Sequence, residues 1–131
     1  MPKSAIICVD DEVTVLESLE IELQKAFKNQ YLYEFAESAD EALEVIEELV
    51  EDSVKIVVLV SDWLMPGMKG DELLILIHHR FPEVNTILLT GQADREAVER
   101  AINEANIHAY LTKPWNTKEL IETIRSGLSK S

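Results

Sequence analysis

The chain has 131 residues, enough for one domain with a single buried core and too few for a second folded domain of comparable size. Its 25 acidic residues against 12 basic give a formal charge of −13, which argues against binding nucleic acid and points to a protein partner or a cation. Cys8 stands alone, so no internal disulfide is expected. Met1 to Ser4 lead straight into an apolar strand, without a signal-peptide run, and no apolar stretch is long enough to span a bilayer, so a soluble, cytoplasmic protein without a membrane partner is expected.

The first apolar run, Ala5 to Val9, ends on Asp10-Asp11, and its Cys8 reads as a small core residue. Val13, Leu16, Leu19, Leu23 and Phe27 then recur at three- and four-residue steps, the stripe of an amphipathic helix over 13–27 that Asp11 or Glu12 would begin. A second strand is predicted over 31–36. Ser38 and Glu41 supply a capping box for a helix whose buried face is Ala42, Leu43, Ile46, Leu49 and Val50. The third strand, Lys55 to Ser61, is apolar from Ile56 to Val60 without alternation, as expected of a central strand covered on both faces.

Pro66-Gly67 and Gly70 interrupt the chain before a helix marked by Leu73, Leu74, Leu76, Ile77 and Phe81, which stops before Pro82. A fourth strand follows at Asn85 to Leu89. The next helix, Asp94 to Asn106, has a face of Ala97, Val98, Ala101, Ile102 and Ala105, small enough to predict light packing. A short fifth strand, Ala109 to Leu111, leads to a last helix that opens at Asn116 and turns Leu120, Ile121, Ile124 and Leu128 inward, with Gly127 and the following serines as its end. Five strands alternating with five helices predict an α/β fold: a doubly wound parallel sheet in one domain over 1–131.

In such a sheet ligands bind at the carboxyl ends of the strands, which are where the polar residues stand: Asp10-Asp11, Asp62, Thr90 and Lys113. Three carboxylates gathered there repel by roughly 4 kcal/mol per pair at 4 Å and an effective dielectric of 20. They call for a hard cation, and magnesium suits them, with Asp10 and Asp11 holding the ion. Asp62 is placed to attack phosphorus as a carboxylate nucleophile, with Lys113 neutralising charge and Thr90 offering its hydroxyl to a phosphoryl oxygen.

The pattern Asp10-Asp11-Glu12, Asp62-Trp63-Leu64-Met65-Pro66-Gly67, Thr90-Gly91 and Lys113-Pro114 resembles the receiver domain of two-component response regulators over essentially the whole chain. The resemblance implies a flavodoxin-like sheet of order 2-1-3-4-5 and magnesium-dependent phosphorylation of Asp62. The donor would be a sensor histidine kinase or a histidine phosphotransfer protein, and a downstream output protein or domain would be controlled. It implies that Asp10, Asp11, Asp62 and the carbonyl of Leu64 bind the metal, that Lys113 and Thr90 contact the phosphoryl group, and that Tyr110 turns inward when Thr90 engages it. It also implies a cis Lys113-Pro114 peptide. Leu64 and Gln92 fall at the two places bordering the phosphoryl group that vary in the family, where they would modulate its lifetime, and Lys69 stands where an acid is frequent.

Taken singly, each feature has an ordinary explanation. Asp10-Asp11 suits a helix start, Lys113 a solvated surface, and Tyr110 a sheet edge. His78 and His79, adjacent on a helix, cannot readily share an ion and read as surface. Trp63 and Trp115 lie in loops beside the site, either packed on a helix or facing a partner. Two other functions compete with the receiver reading. A small aspartyl-phosphate phosphatase would need an acid/base residue where Leu64 stands. A phosphorylation-independent interaction module would have no use for an intact site, and a flavin cradle after the first strand is opposed by the acids at 10–12.

Overall fold

The computed structural model describes residues 2–91 and 95–130. Five parallel strands form one sheet: β1 (Ser4–Val9), β2 (Leu32–Ala36), β3 (Lys55–Asp62), β4 (Asn85–Thr90) and β5 (Ala109–Thr112), in the order β2-β1-β3-β4-β5. The helices that connect them are α1 (Val13–Phe27), α2 (Ala39–Glu51), α3 (Gly70–Arg80), α4 (Arg95–Ala105) and α5 (Thr117–Ser129). This is the doubly wound α/β sheet of order 2-1-3-4-5 that the sequence and its resemblance led one to expect.

The core has two halves, one on each face, because successive strand residues point oppositely. Ala5, Ile7 and Val9 of β1 pack with Ala42, Ile46 and Leu49 of α2 and with Leu73, Leu74 and Ile77 of α3. Ile6 and Cys8 turn the other way, toward Leu16, Leu19 and Leu23 of α1 and Leu120, Ile121 and Ile124 of α5. The central strand departs from strict alternation. Its register with β1 slips by one residue, Ala5 pairing with Ile56 but Ile6 with Val58, so Val57 is an extra residue and both Val57 and Val58 join the α1/α5 face. An unbroken apolar run conceals such a bulge.

Caps follow the sequence. Ser38 Oγ accepts the Glu41 N–H at 3.1 Å, and Asn116 Oδ1 accepts the Glu119 N–H at 2.6 Å. Three helix faces differ from expectation. Val50 of α2 is 47% exposed and Val13 of α1 45% exposed, each at the rim of its stripe. In α4 only the alanines 97, 101 and 105 are buried, while Ile102 stands 49% exposed. The expected light packing of α4 is a close approach to α3, made possible by those small side chains. Gly127 does not end α5 but lies within it, buried, where an added Cβ would sit 3.3 Å from Val58 Cγ2. Among the described residues no helix is long and apolar enough to cross a membrane.

Candidate functional site

The carboxyl ends of β1, β3, β4 and β5 meet at one rim, and backbone bonds between neighbouring strand ends lace it together. The Trp63 N–H donates to the Leu89 carbonyl at 2.8 Å, the Lys113 N–H to the Thr90 carbonyl at 2.7 Å, and the Asp10 N–H to the Ala36 carbonyl at 3.0 Å. Asp10, Asp62, Thr90 and Lys113 are therefore held by the sheet rather than by a free loop.

Asp10, one residue past β1, is 1% exposed. Its Oδ1 accepts the Glu12 N–H at 2.8 Å, which turns the chain into α1, while its Oδ2 is buried with no hydrogen-bond partner among the described residues. Burial, reinforced by the nearby Asp62 and Asp11, pushes its carboxyl up to about 6, against the relief given by the Glu12 N–H and by Lys113. Asp11 is exposed at the mouth of the cleft. Asp62, the last residue of β3, is 2% exposed and is also shifted upward, mainly by burial, with Lys113 opposing the shift. The Lys113 Nζ lies 3.2 Å from Asp62 Oδ1.

One carboxylate oxygen from each of Asp10, Asp11 and Asp62 lies within 4.8 Å of the others. Three hard oxygen donors, two of them from buried carboxylates, are a chemical match for a small divalent cation. The mouth is a cleft of about 400 Å³ lined by Asp11, Glu12, Asp62, Leu64, Met65, Pro66 and Lys113. Leu64 is 61% exposed there and presents an apolar surface to whatever enters. Thr90, 1% exposed at the end of β4, borders a second depression of about 430 Å³ that it shares with Arg95, Val98, Ile102 and Tyr110. Tyr110 is 47% exposed. The Lys113-Pro114 peptide is cis. Gln92 lies outside the described residues, as does Asp94, the expected first residue of the fourth helix.

Residues that the sequence reading left out complete the surroundings. The Gly70 N–H donates to the Trp63 carbonyl at 2.8 Å, and a Cβ on Gly70 would fall 2.2 Å from the Asp62 carbonyl oxygen, so only glycine permits α3 to start this close to Asp62. Asp71, 0% exposed, accepts the Trp63 indole N–H at 2.9 Å and pairs with Arg100 of α4. Trp63 is thus packed against α3, as the plainer of its two explanations predicted, and Trp115 is half-buried on the α1/α5 side with the Lys113 Nζ 5.6 Å from its ring centre. Gly70 shows in the sequence as a chain break. Asp71 shows only as one more acid in a helical first turn.

Comparison with known proteins agrees with this geometry. A family model described as the response regulator receiver domain matches residues 6–125. The hydrogenase transcriptional regulatory protein HoxA of Cupriavidus necator is 32% identical over 126 residues, covering 96% of this chain and 24% of that protein, so the chain spans about a quarter of its curated relative. Among solved structures, the signal receiver domain of an HD domain-containing protein from Pseudomonas fluorescens superposes with a TM-score of 0.85 at 33% identity, covering 97% of this chain and 95% of the other. A CheY-like response regulator receiver domain protein from Methanospirillum hungatei gives 0.84 at 31% identity, covering 97% and 94%.

Proposed function

The chain belongs to the response regulator receiver domain family, and from that premise we propose that Asp62 is its phosphoacceptor, charged by a partner that carries a phosphohistidine. The observation that carries the reading is the grouping of Asp62 at the end of the central strand with Lys113 at 3.2 Å and with the oxygens of Asp10 and Asp11 inside 4.8 Å. An Asp62 carboxylate oxygen attacks phosphorus. The O–P bond forms as the P–N bond to the donor ring breaks, and the electron pair stays on the ring nitrogen, which takes a proton from solvent. The Lys113 ammonium faces the phosphoryl oxygens and offsets their charge, while Thr90 supplies a hydroxyl to one of them.

Asp10, Asp11, Asp62 and the Leu64 carbonyl would hold magnesium, which when bound neutralises the carboxylates and the incoming phosphoryl charge. Engagement of Thr90 vacates room that the exposed Tyr110 ring fills, so the α4–β5 side of the molecule changes with phosphorylation. We read residues 1–131 as a single receiver unit acting in the cytoplasm, its output lying in a partner protein or in a further domain. The acidic balance favours a protein target over nucleic acid. Turnover of external phosphoesters is disfavoured, because the exposed Leu64 stands where a phosphatase needs its acid/base group.

Incubation with a small-molecule phosphodonor and magnesium, followed by intact mass, tests the assignment. One phosphoryl adduct is expected on the parent, none on Asp62→Asn, and none on the parent with chelator. A full adduct on Asp62→Asn would overturn it.

A further inference from the structure

Trp63 follows Asp62 directly, and its main chain is fixed on both sides, by its N–H to Leu89 and by its carbonyl from Gly70, each at 2.8 Å. Its side chain is fixed as well. The indole Nε1–H reaches Asp71 Oδ1 at 2.9 Å, and the Lys69 Nζ lies 5.0 Å from the ring centre. Asp71 is fully buried in the first turn of α3, and its second oxygen, Oδ2, pairs with Arg100 Nη1 on α4. A fully buried carboxylate depends on its partners, because withdrawal of either leaves charge or lone pairs in a poorly polarisable interior. A displacement of Trp63 must therefore break its bond to Asp71 or carry Asp71 with it, and in the second case Arg100 follows or its ion pair, buried at the Asp71 end, is broken. The three residues form an unbroken polar chain from the peptide beside Asp62 to the middle of α4. It runs on the α3 side of the sheet and shares no residue with Thr90 and Tyr110.

Resting on the receiver reading above, we propose that Asp71 is a positioning residue that couples the Asp62–Trp63 segment to α4 through Arg100, a second route by which events at Asp62 reach that helix. The link works through discrete partners with two arrangements, made or broken, as transmission between sites requires. The buried alanine face of α4 lets the helix lie against α3 closely enough for Arg100 to reach Asp71.

The test compares the parent with Arg100→Gln, which keeps a polar side chain without its charge, Arg100→Lys, which keeps the charge, and Trp63→Phe, which keeps a ring without the indole donor. Intact mass after treatment with acetyl phosphate and magnesium reports phosphoryl uptake. The Trp63 indole N–H resonance, identified by its loss in Trp63→Phe, reports the near end of the chain. Hydrogen exchange over 95–105, with and without phosphodonor, reports the far end. All three variants are expected to take up the phosphoryl group. Arg100→Gln should shift the indole resonance, more than 30 residues away in sequence, and cut the phosphorylation-dependent change in α4 exchange by roughly half or more. Trp63→Phe should cut it similarly, and Arg100→Lys should restore most of both signals. An Arg100→Gln protein with the parent's indole resonance and the parent's α4 response overturns the coupling. A parent that gains no phosphoryl mass overturns the receiver reading and the coupling with it, and mass alone separates that failure from the first.

Discussion

Asp10 and Asp11 are neighbours in sequence but not in environment. Asp10 is enclosed, with one oxygen bonded and the other without a partner among the described residues, whereas Asp11 is exposed. Replacing Asp10 by Asn keeps the oxygen that turns the chain into α1 and removes a buried charge. Asp10→Asn should therefore raise metal-free stability at pH 7.5, by up to about 3 kcal/mol, because burial holds the carboxyl near 6 rather than at its ordinary 3.8. Asp11→Asn should change it little. Both should lose the stabilisation that magnesium gives the parent, and urea titrations with magnesium or chelator measure the two effects together. A large loss of metal-free stability in Asp10→Asn would show that the buried charge is not a source of strain. On the proposed reading, the Leu64 side chain should govern time rather than affinity. Its exposed apolar surface cannot orient water, so the acyl phosphate should decay slowly, and Leu64→Asn should quicken the decay on the order of tenfold, or about 1.4 kcal/mol of barrier. Decay of the phosphorylated mass after removal of the donor gives the rate.

Between elements, two glycines make opposite predictions. Gly70 starts α3 against the main chain of Asp62 and Trp63, where backbone cannot yield, so Gly70→Ala should cost about 3 kcal/mol and impair phosphoryl uptake. A Cβ on Gly127 would meet a Val58 methyl at 3.3 Å, a contact that adjusts by tenths of an ångström, and alanine is favoured in a helix by about 1 kcal/mol, so Gly127→Ala should be near neutral. Chemical denaturation of the pair reads both. The strand β5 carries a different expectation. Tyr110 should react slowly with an acylating reagent once the protein is phosphorylated, and Thr90→Ala should abolish that protection while still accepting phosphate.

The elements that could be read in the sequence were those whose signal is local. Each apolar run stops on the residue it delivers to the rim, and Ser38 and Asn116 cap the helices they precede. Ile102 and Val50 were read as buried because a helical stripe is broad, and its edge is decided by the neighbour, which for α4 is α3 rather than the sheet. The bulge at Val57 and the pairing of Asp71 with Arg100 left no trace at all. An unbroken valine run and two ordinary helix charges 29 residues apart look the same with or without them.

For the whole molecule, the acid-lined rim sets the dependence on pH. The Asp10 carboxyl sits near 6 when folded against an ordinary value of 3.8, so the folded state binds more protons between those values. The associated stability is full below about 3.8 and is lost as pH rises through about 6. Asp62 is shifted in the same direction. His108, lowered mainly by burial with Lys130 adding to it, acts oppositely, favouring the neutral ring and withdrawing stability as pH falls below its ordinary 6.5. Metal-free protein should therefore gain less stability between pH 7.5 and 5 than the carboxylates alone would give. Asp10→Asn should flatten the gain or reverse it, and magnesium should help most at the upper end. Thermal melts across that range, with and without the ion, separate the contributions.

Cys8 lies in β1 at the middle of the sheet, 1% exposed, its thiol pushed up to about 12 by burial and by Asp10. Only the thiolate reacts readily, and the folded chain offers neither thiolate nor access. An alkylating reagent must wait for the whole sheet to open, so its incorporation rate counts global unfolding events. With unfolding constants of small domains spanning roughly 10³ to 10⁸ against the open form, a slow mass gain at Cys8 becomes a stopwatch for native-state stability at neutral pH without denaturant. The same silence leaves room for chemistry elsewhere: a single cysteine introduced on the surface of α4 would carry a spin label or dye with no competing native site.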